Sequence, residues 1–136
     1  MASILKVDEM QGVTNTNEMT IAANNVTVTG EGTATMRLQQ GLAKAWIKTA
    51  ANGTSISDSL NVSSLGDTGT GQQTVSFTNA MGNEEYAITS VLADAGSYSI
   101  ACANQAVGSF RGYYFNIGGS AYFDGVQRHV ATGDLA

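Results

Sequence analysis

SLNVSSLGDTGTGQQTVSFT, residues 59–78, decides how the chain folds. Apolar and polar residues alternate on both flanks of a glycine-rich centre, in SLNVSS (59–64) and in TVSFT (74–78). Period-two alternation on both sides of a glycine turn marks two antiparallel neighbours joined as a hairpin. Two catalytic readings compete for the same centre. Gly66 and Gly71 carry the glycine spacing of a phosphate-binding loop, which needs Lys after the second glycine and then Ser or Thr for magnesium. Gln72 and Gln73 follow Gly71 instead, and strand-like sequence surrounds them. Asp67-Thr68-Gly69 is the tripeptide of aspartic proteases, in which two carboxylates share a proton and activate water. A homodimer would supply one Asp from each chain, and FNIGG (115–119) is like the apolar segment that braces such sites. A large apolar residue normally precedes that Asp, and here Gly66 does. In the hairpin reading Asp67 accepts from nearby backbone N–H groups, and the glycines take left-handed positions.

Alternation continues outward. QTVSFTNAM, EYAITSVLA, YSIACA, SFRGYYFNIG and GVQRHVAT are strand candidates at short intervals, as are ILKVD at residues 4–8 and the Val26/Val28 stretch. Regularly spaced short strands with glycine turns predict an all-β, antiparallel sandwich or small barrel. ISDSLNVSSL extends the pattern, with Leu60 and Val62 alternating against Asn61 and Ser63. LQQGLAKAWIKT is ambiguous. As a helix it gathers Leu38, Leu42, Ala45 and Trp46 on one face. As a strand it separates Ala43, Ala45 and Ile47 from Lys44, Trp46 and Lys48. Residues 1–37 contain no aromatic side chain and few large ones, too little for a core of their own. They are expected to form an extended N-terminal β arm, and residues 38–136 the head domain.

Composition narrows the chemistry. The 136 residues suffice for one domain, with 43% hydrophobic but only 12% charged residues, where about a quarter is usual. Glycine, at 16 residues with no proline, must supply the turns. The net charge is −5 and the six basic residues stand singly, so a nucleic-acid or anionic-membrane partner is not expected. MASILKVDEMQG lacks the apolar stretch of a secretory signal, and no run reaches membrane-spanning length, so neither standard export nor membrane insertion is expected.

Candidate catalytic or metal groups are sparse. Cys102, the only cysteine, reads as a buried small hydrophobe. His129, the only histidine, alternates with Val130 and reads as a surface or interface residue; any Ser-His-Asp triad would have to use it. Asp8-Glu9 and Glu84-Glu85 are adjacent pairs, which a strand points to opposite sides. Glu84 and Glu85 with a loop carbonyl are the nearest approach to a calcium set. No metal and no cofactor is expected. The aromatics Phe110, Tyr113, Tyr114, Phe115, Tyr122 and Phe123 are denser than core filling requires. Tyrosine faces stack and their hydroxyls hydrogen-bond, which suits recognition of sugars or proteins.

Taken in order, GLAKAW (41–46), NVSS (61–64), GDTGTG followed by TVSFT, and the terminal GDLA (133–136) resemble a recurring tail-fibre domain of tailed bacteriophages. The resemblance covers nearly all of residues 38–136. It implies a β-sandwich head, usually homotrimeric, in which residues 43–49 form a strand. Lys44, Ala45, Trp46, Asn61, Val62, Ser63, Ser64, Asp67, Gly69, Gly71, Gly133, Asp134, Leu135 and Ala136 match its pattern, as framework and not as catalytic residues. Thr132, Arg128 and His129 depart from it, where apolar residues are usual. The expectation is therefore a non-catalytic virion structural protein, assembled in the host cytoplasm. It would join itself as a trimer and other virion proteins through residues 1–37. A host-surface glycan is the expected ligand, at Tyr98, Tyr113, Tyr114 and Tyr122. A capsid-decorating, head-fibre or tail-connector protein is the first alternative, and a homodimeric aspartic protease using Asp67 the second.

Overall fold

The computed structural model describes residues 27–29, 35–37, 41–92 and 96–135, and every named element is a strand. Of the expected arm only β1 (Thr27–Thr29) and β2 (Thr35–Arg37) are described, paired antiparallel with Val28 opposite Met36. The expected strand at 4–8 and the rest of residues 1–26 lie outside the described residues.

Two antiparallel sheets make up the rest. One runs β4 (Ile56–Leu60), β3 (Ala43–Thr49), β11 (Gln127–Thr132), β7 (Ala87–Leu92). The other runs β10 (Ala121–Tyr122), β9 (Ser109–Asn116), β6 (Gln72–Phe77), β5 (Val62–Gly69), with β8 (Tyr98–Ala106) on the far edge of β9. Their inner faces meet through Ala45 and Ile47 of β3, Ala131 of β11, Val75 and Phe77 of β6 and Phe110 of β9, the arrangement of a β-sandwich. Burying each large apolar side chain contributes roughly 1.5–3 kcal/mol. Strict alternation sets this up: on β6, β9 and β11 every second residue is buried.

Residues 43–49 are the strand that the resemblance implied, so propensity for helix yields to a period-two pattern whose inner face is covered. The quoted stretch is a hairpin. Leu65 faces Val75, Asp67 faces Gln73 and Gly69 faces Gln72 across it. Gly71 at its tip has φ of 64°, and a Cβ there would fall 2.5 Å from the carbonyl oxygen of Tyr114 and 2.8 Å from the nitrogen of Phe123. Only glycine fits both the conformation and the space. Asp67 Oδ1 accepts from the N–H of Gly69 at 2.9 Å, the turn role expected of it.

One segment differs from its sequence reading. Leu60 and Val62 do not share a strand face, because Asn61 takes a left-handed φ of 56° and carries the chain from one sheet to the other. Leu60 stays on the outer face opposite Trp46, while Val62 packs against the core. Asn61 secures the crossing. Its Oδ1 accepts from the N–H of Asn79 at 2.7 Å and its Nδ2 donates to the carbonyl of Asn79 at 3.0 Å. At the other end, Leu135 bridges Met81 and packs on the core, and Gly82 N–H donates to the Asp134 carbonyl at 2.7 Å. Tyr86 seals this end, its hydroxyl 2.7 Å from Ser109 O and 3.1 Å from Ala106 O. Ala136 lies outside the described residues.

Candidate functional site

Chemistry-bearing side chains gather in two places, one on the outside of the β8–β9–β10 region and one between the sheets.

The outer site follows from alternation along β9. Arg111, Tyr113 and Phe115 point outward, while Phe110, Gly112 and Tyr114 point inward. Register then places Tyr113 between Gln72 of β6 and Ala101 of β8, and Phe115 between Tyr122 of β10 and Ser99 of β8. Aromatic rings on β9 and β10 thus stand beside small residues on β8. They enclose an open trough of about 320 Å³ lined by Ser99, Ala101, Tyr113, Phe115 and Tyr122. The Tyr122 ring stands nearly perpendicular to Phe115, at 84° with centroids 5.4 Å apart, and 6.2 Å from Tyr113. Asn104 Nδ2 donates to the Tyr113 hydroxyl at 3.3 Å. Tyr122 is 44% exposed. Flat apolar faces with hydroxyls at their rims suit a ligand that is itself apolar on its faces and polar at its edges.

Of the four tyrosines expected to bind a ligand, the structure brings Tyr113 and Tyr122 together in this trough. Tyr114 is wholly buried, at 0% exposure, and cannot touch a ligand. Tyr98, on the inner side of β8, stacks on Tyr114 with centroids 5.3 Å apart and on Phe123 at 5.6 Å. That pair belongs to the end of the core. Ser99, Ala101, Phe115 and Asn104 were not singled out as ligand residues. The alternation of SFRGYYFN was sufficient to group Phe115 with Tyr113, whereas Ser99 and Ala101 join them only through β8–β9 pairing.

The inner site corrects the expectation for His129. It is not a surface residue but 2% exposed, because β11 turns Gln127, His129 and Ala131 to the inside. Gln127 Oε1, an acceptor, lies 3.0 Å from His129 Nε2, so that nitrogen carries the proton. His129 Nδ1 then accepts from the Ser90 hydroxyl at 2.8 Å, with Cys102 Sγ 3.3 Å from the same nitrogen and 3.0 Å from Ser90 Oγ. Gln127 N–H in turn donates to Thr49 Oγ1 at 2.8 Å. Nucleophile, imidazole and orienting amide stand in the order of a hydrolytic triad. Burial acts against that chemistry. It lowers the pKa of His129 to about 4 and pushes the Cys102 thiol up, so both stay neutral and the thiolate needed for attack is disfavoured. The cluster ties β3, β7, β8 and β11 together.

None of the matching framework residues lines the trough or bonds to the His129 cluster: Lys44 and Trp46 are on β3, Asn61 at the crossing, Asp67, Gly69 and Gly71 at the hairpin tip, Gly133, Asp134 and Leu135 after β11. Glu84 and Glu85 are exposed, and among the described residues no group of three His, Cys, Asp or Glu is placed to hold a metal ion. Among them too, no helix is long and apolar enough to cross a membrane.

The chain matches no protein-family model, no curated protein and no solved structure.

Proposed function

We propose that the protein is a non-catalytic structural component of a tailed-phage particle, a fibre or spike head that touches a host-surface glycan through the Tyr113–Phe115–Tyr122 trough. The observation that carries the ligand half of this reading is the trough itself: three aromatic rings from two strands beside a floor of Ser99 and Ala101. A pyranose ring presents apolar C–H faces to such rings and hydroxyls to the Ser99, Asn104 and tyrosine groups around them. The virion half rests on the ordered resemblance of residues 38–136. The junction at Asn61, the hairpin tip and the closing GDLA segment support it, because the matching residues hold the sandwich together.

A homotrimer is part of this proposal. The outer face of the β4–β3–β11–β7 sheet carries Leu60, Trp46 and Val130 in one row across three strands, with Leu60 48% exposed. Aligned apolar residues left uncovered on a sheet favour a protein partner. The same row supports the second reading, in which the partner is another virion protein and the chain decorates the capsid or connects tail parts. In either case many copies would turn weak single contacts into firm adhesion.

The test is adsorption to host cells by particles or purified protein carrying Tyr113→Ala with Tyr122→Ala. Loss of adsorption with folding intact is expected; unchanged adsorption overturns the ligand reading. Antibody labelling of particles separates tail from capsid. Light scattering checks the assembly: a trimer of 14.1 kDa chains has a mass of about 42 kDa.

A further inference from the structure

We propose that the trough selects an acidic oligosaccharide, with Arg111 as the residue that recognises the sugar carboxylate. This deepens the glycan reading above and rests on it.

Arg111 shares the outward face of β9 with Tyr113, two residues along the strand and therefore about 7 Å away. Its strand neighbours are Thr74 on β6 and Ala103 on β8, both short and neither charged. Arg111 is partly buried and lies beyond the residues that line the trough, so a ligand must extend past Tyr113 to meet it. Among the described residues Arg111 makes no ion pair, and its Nε is buried with no hydrogen-bond partner. A buried donor left unpaired is costly, by an amount comparable to a lost hydrogen bond, and an incoming acceptor recovers it. Such a donor next to an open aromatic trough points to a ligand that brings the acceptor.

The surrounding charges agree. Lys44, Lys48 and Arg128 lie on β3 and β11 of the other sheet, whereas Arg111 is on this one. No carboxylate lines the trough. Asp124, two residues beyond Tyr122, is already engaged with the N–H of Gly71. The net charge of −5 does not cancel a local cation, because at physiological salt charges beyond about 8 Å are largely screened. The chemistry of arginine then chooses the ligand class. Its planar fork matches a carboxylate with two parallel hydrogen bonds, while the rings of Tyr113 and Tyr122 hold the sugar face.

Isothermal titration of the full-length protein decides the matter. The probes are tetragalacturonate and trimeric N-acetylneuraminate, each beside its carboxyl-reduced, neutral counterpart. The variants are Arg111→Gln, Arg111→Lys and Tyr113→Ala, each checked for an unchanged far-ultraviolet spectrum and melting curve. We expect the wild type to bind one acidic probe about tenfold or more tighter than its neutral counterpart. Arg111→Gln removes that preference and leaves neutral binding in place. Arg111→Lys, which keeps the charge but loses the fork, retains a smaller preference and guards against a folding defect in the Gln variant. Tyr113→Ala weakens both forms together. If acidic and neutral forms bind equally, or Arg111→Gln keeps the preference, selection by Arg111 is overturned while the trough stands. If the wild type binds none of the four, or Tyr113→Ala binds them as well as the wild type, the trough reading falls and this proposal with it.

Discussion

Gly112 of β9 lies directly against His129 of β11: a Cβ at residue 112 would stand 2.8 Å from His129 Nε2 and 2.6 Å from Gln127 Oε1. A central strand glycine ordinarily weakens a sheet, so its presence marks a close approach. Here it makes room for the imidazole and its amide partner between the sheets. Gly112→Ala is therefore expected to destabilise the fold by about 1–3 kcal/mol, as overpacking does. Urea unfolding of the two proteins, compared by midpoint at equal slope, measures it.

The same imidazole gives the fold a pH dependence of known sign. Burial holds His129 at about 4 in the folded chain, below its ordinary 6.5. The unfolded chain therefore binds more protons between those values, and stability falls as pH drops through that window. The contribution is complete above about 6.5, is lost progressively below it, and is gone once pH has passed about 4; its size is on the order of 3 kcal/mol. Unfolding free energies of the wild type and His129→Gln at pH 7, 6, 5 and 4.5 isolate this from the carboxylates. The wild type is expected to show the steeper loss. Parallel curves would mean that His129 does not titrate as stated.

Adjacent tyrosines of β9 should behave oppositely. Tyr114 is fully enclosed beside Tyr98 and Phe123, so Tyr114→Ala is expected to cost about 3–5 kcal/mol. Tyr113→Ala, on the outer face, is expected to cost about 1 kcal/mol or less while weakening the proposed glycan binding. Thermal melts and a binding assay on both variants give the comparison. Equal melting losses would contradict the strand parity.

Cys102 should be a slow thiol. Its pKa is raised, by burial first, with the Ser90 hydrogen bond acting the other way, and only the thiolate reacts. Labelling by a chromogenic disulfide at pH 7 is expected to be at least about tenfold slower in the folded chain than in denaturant. Comparable rates would show an open, ionised thiol and revive the nucleophile of the inner cluster.

Much of the architecture was legible in the residues themselves. Alternation located β6, β7, β8, β9 and β11, and the glycines between NVSS and TVSFT foretold the β5–β6 hairpin with Asp67 serving its turn. These features depend on neighbours along the chain, so sequence by itself determined them. Alternation says which residues share a face but not which face is covered. Only the packing of one sheet on the other sent His129 inside and left Val130 out, since the opposing surface decides burial. Asn61 shows the same limit: Leu60 and Val62 continue one pattern, yet a single left-handed residue sends them to different sheets. The candidate site is the clearest case. Tyr113, Phe115, Tyr122, Ser99 and Ala101 come from three strands, and what unites them is the register of β8 and β10 on β9, a set of long-range backbone pairings that no local pattern specifies.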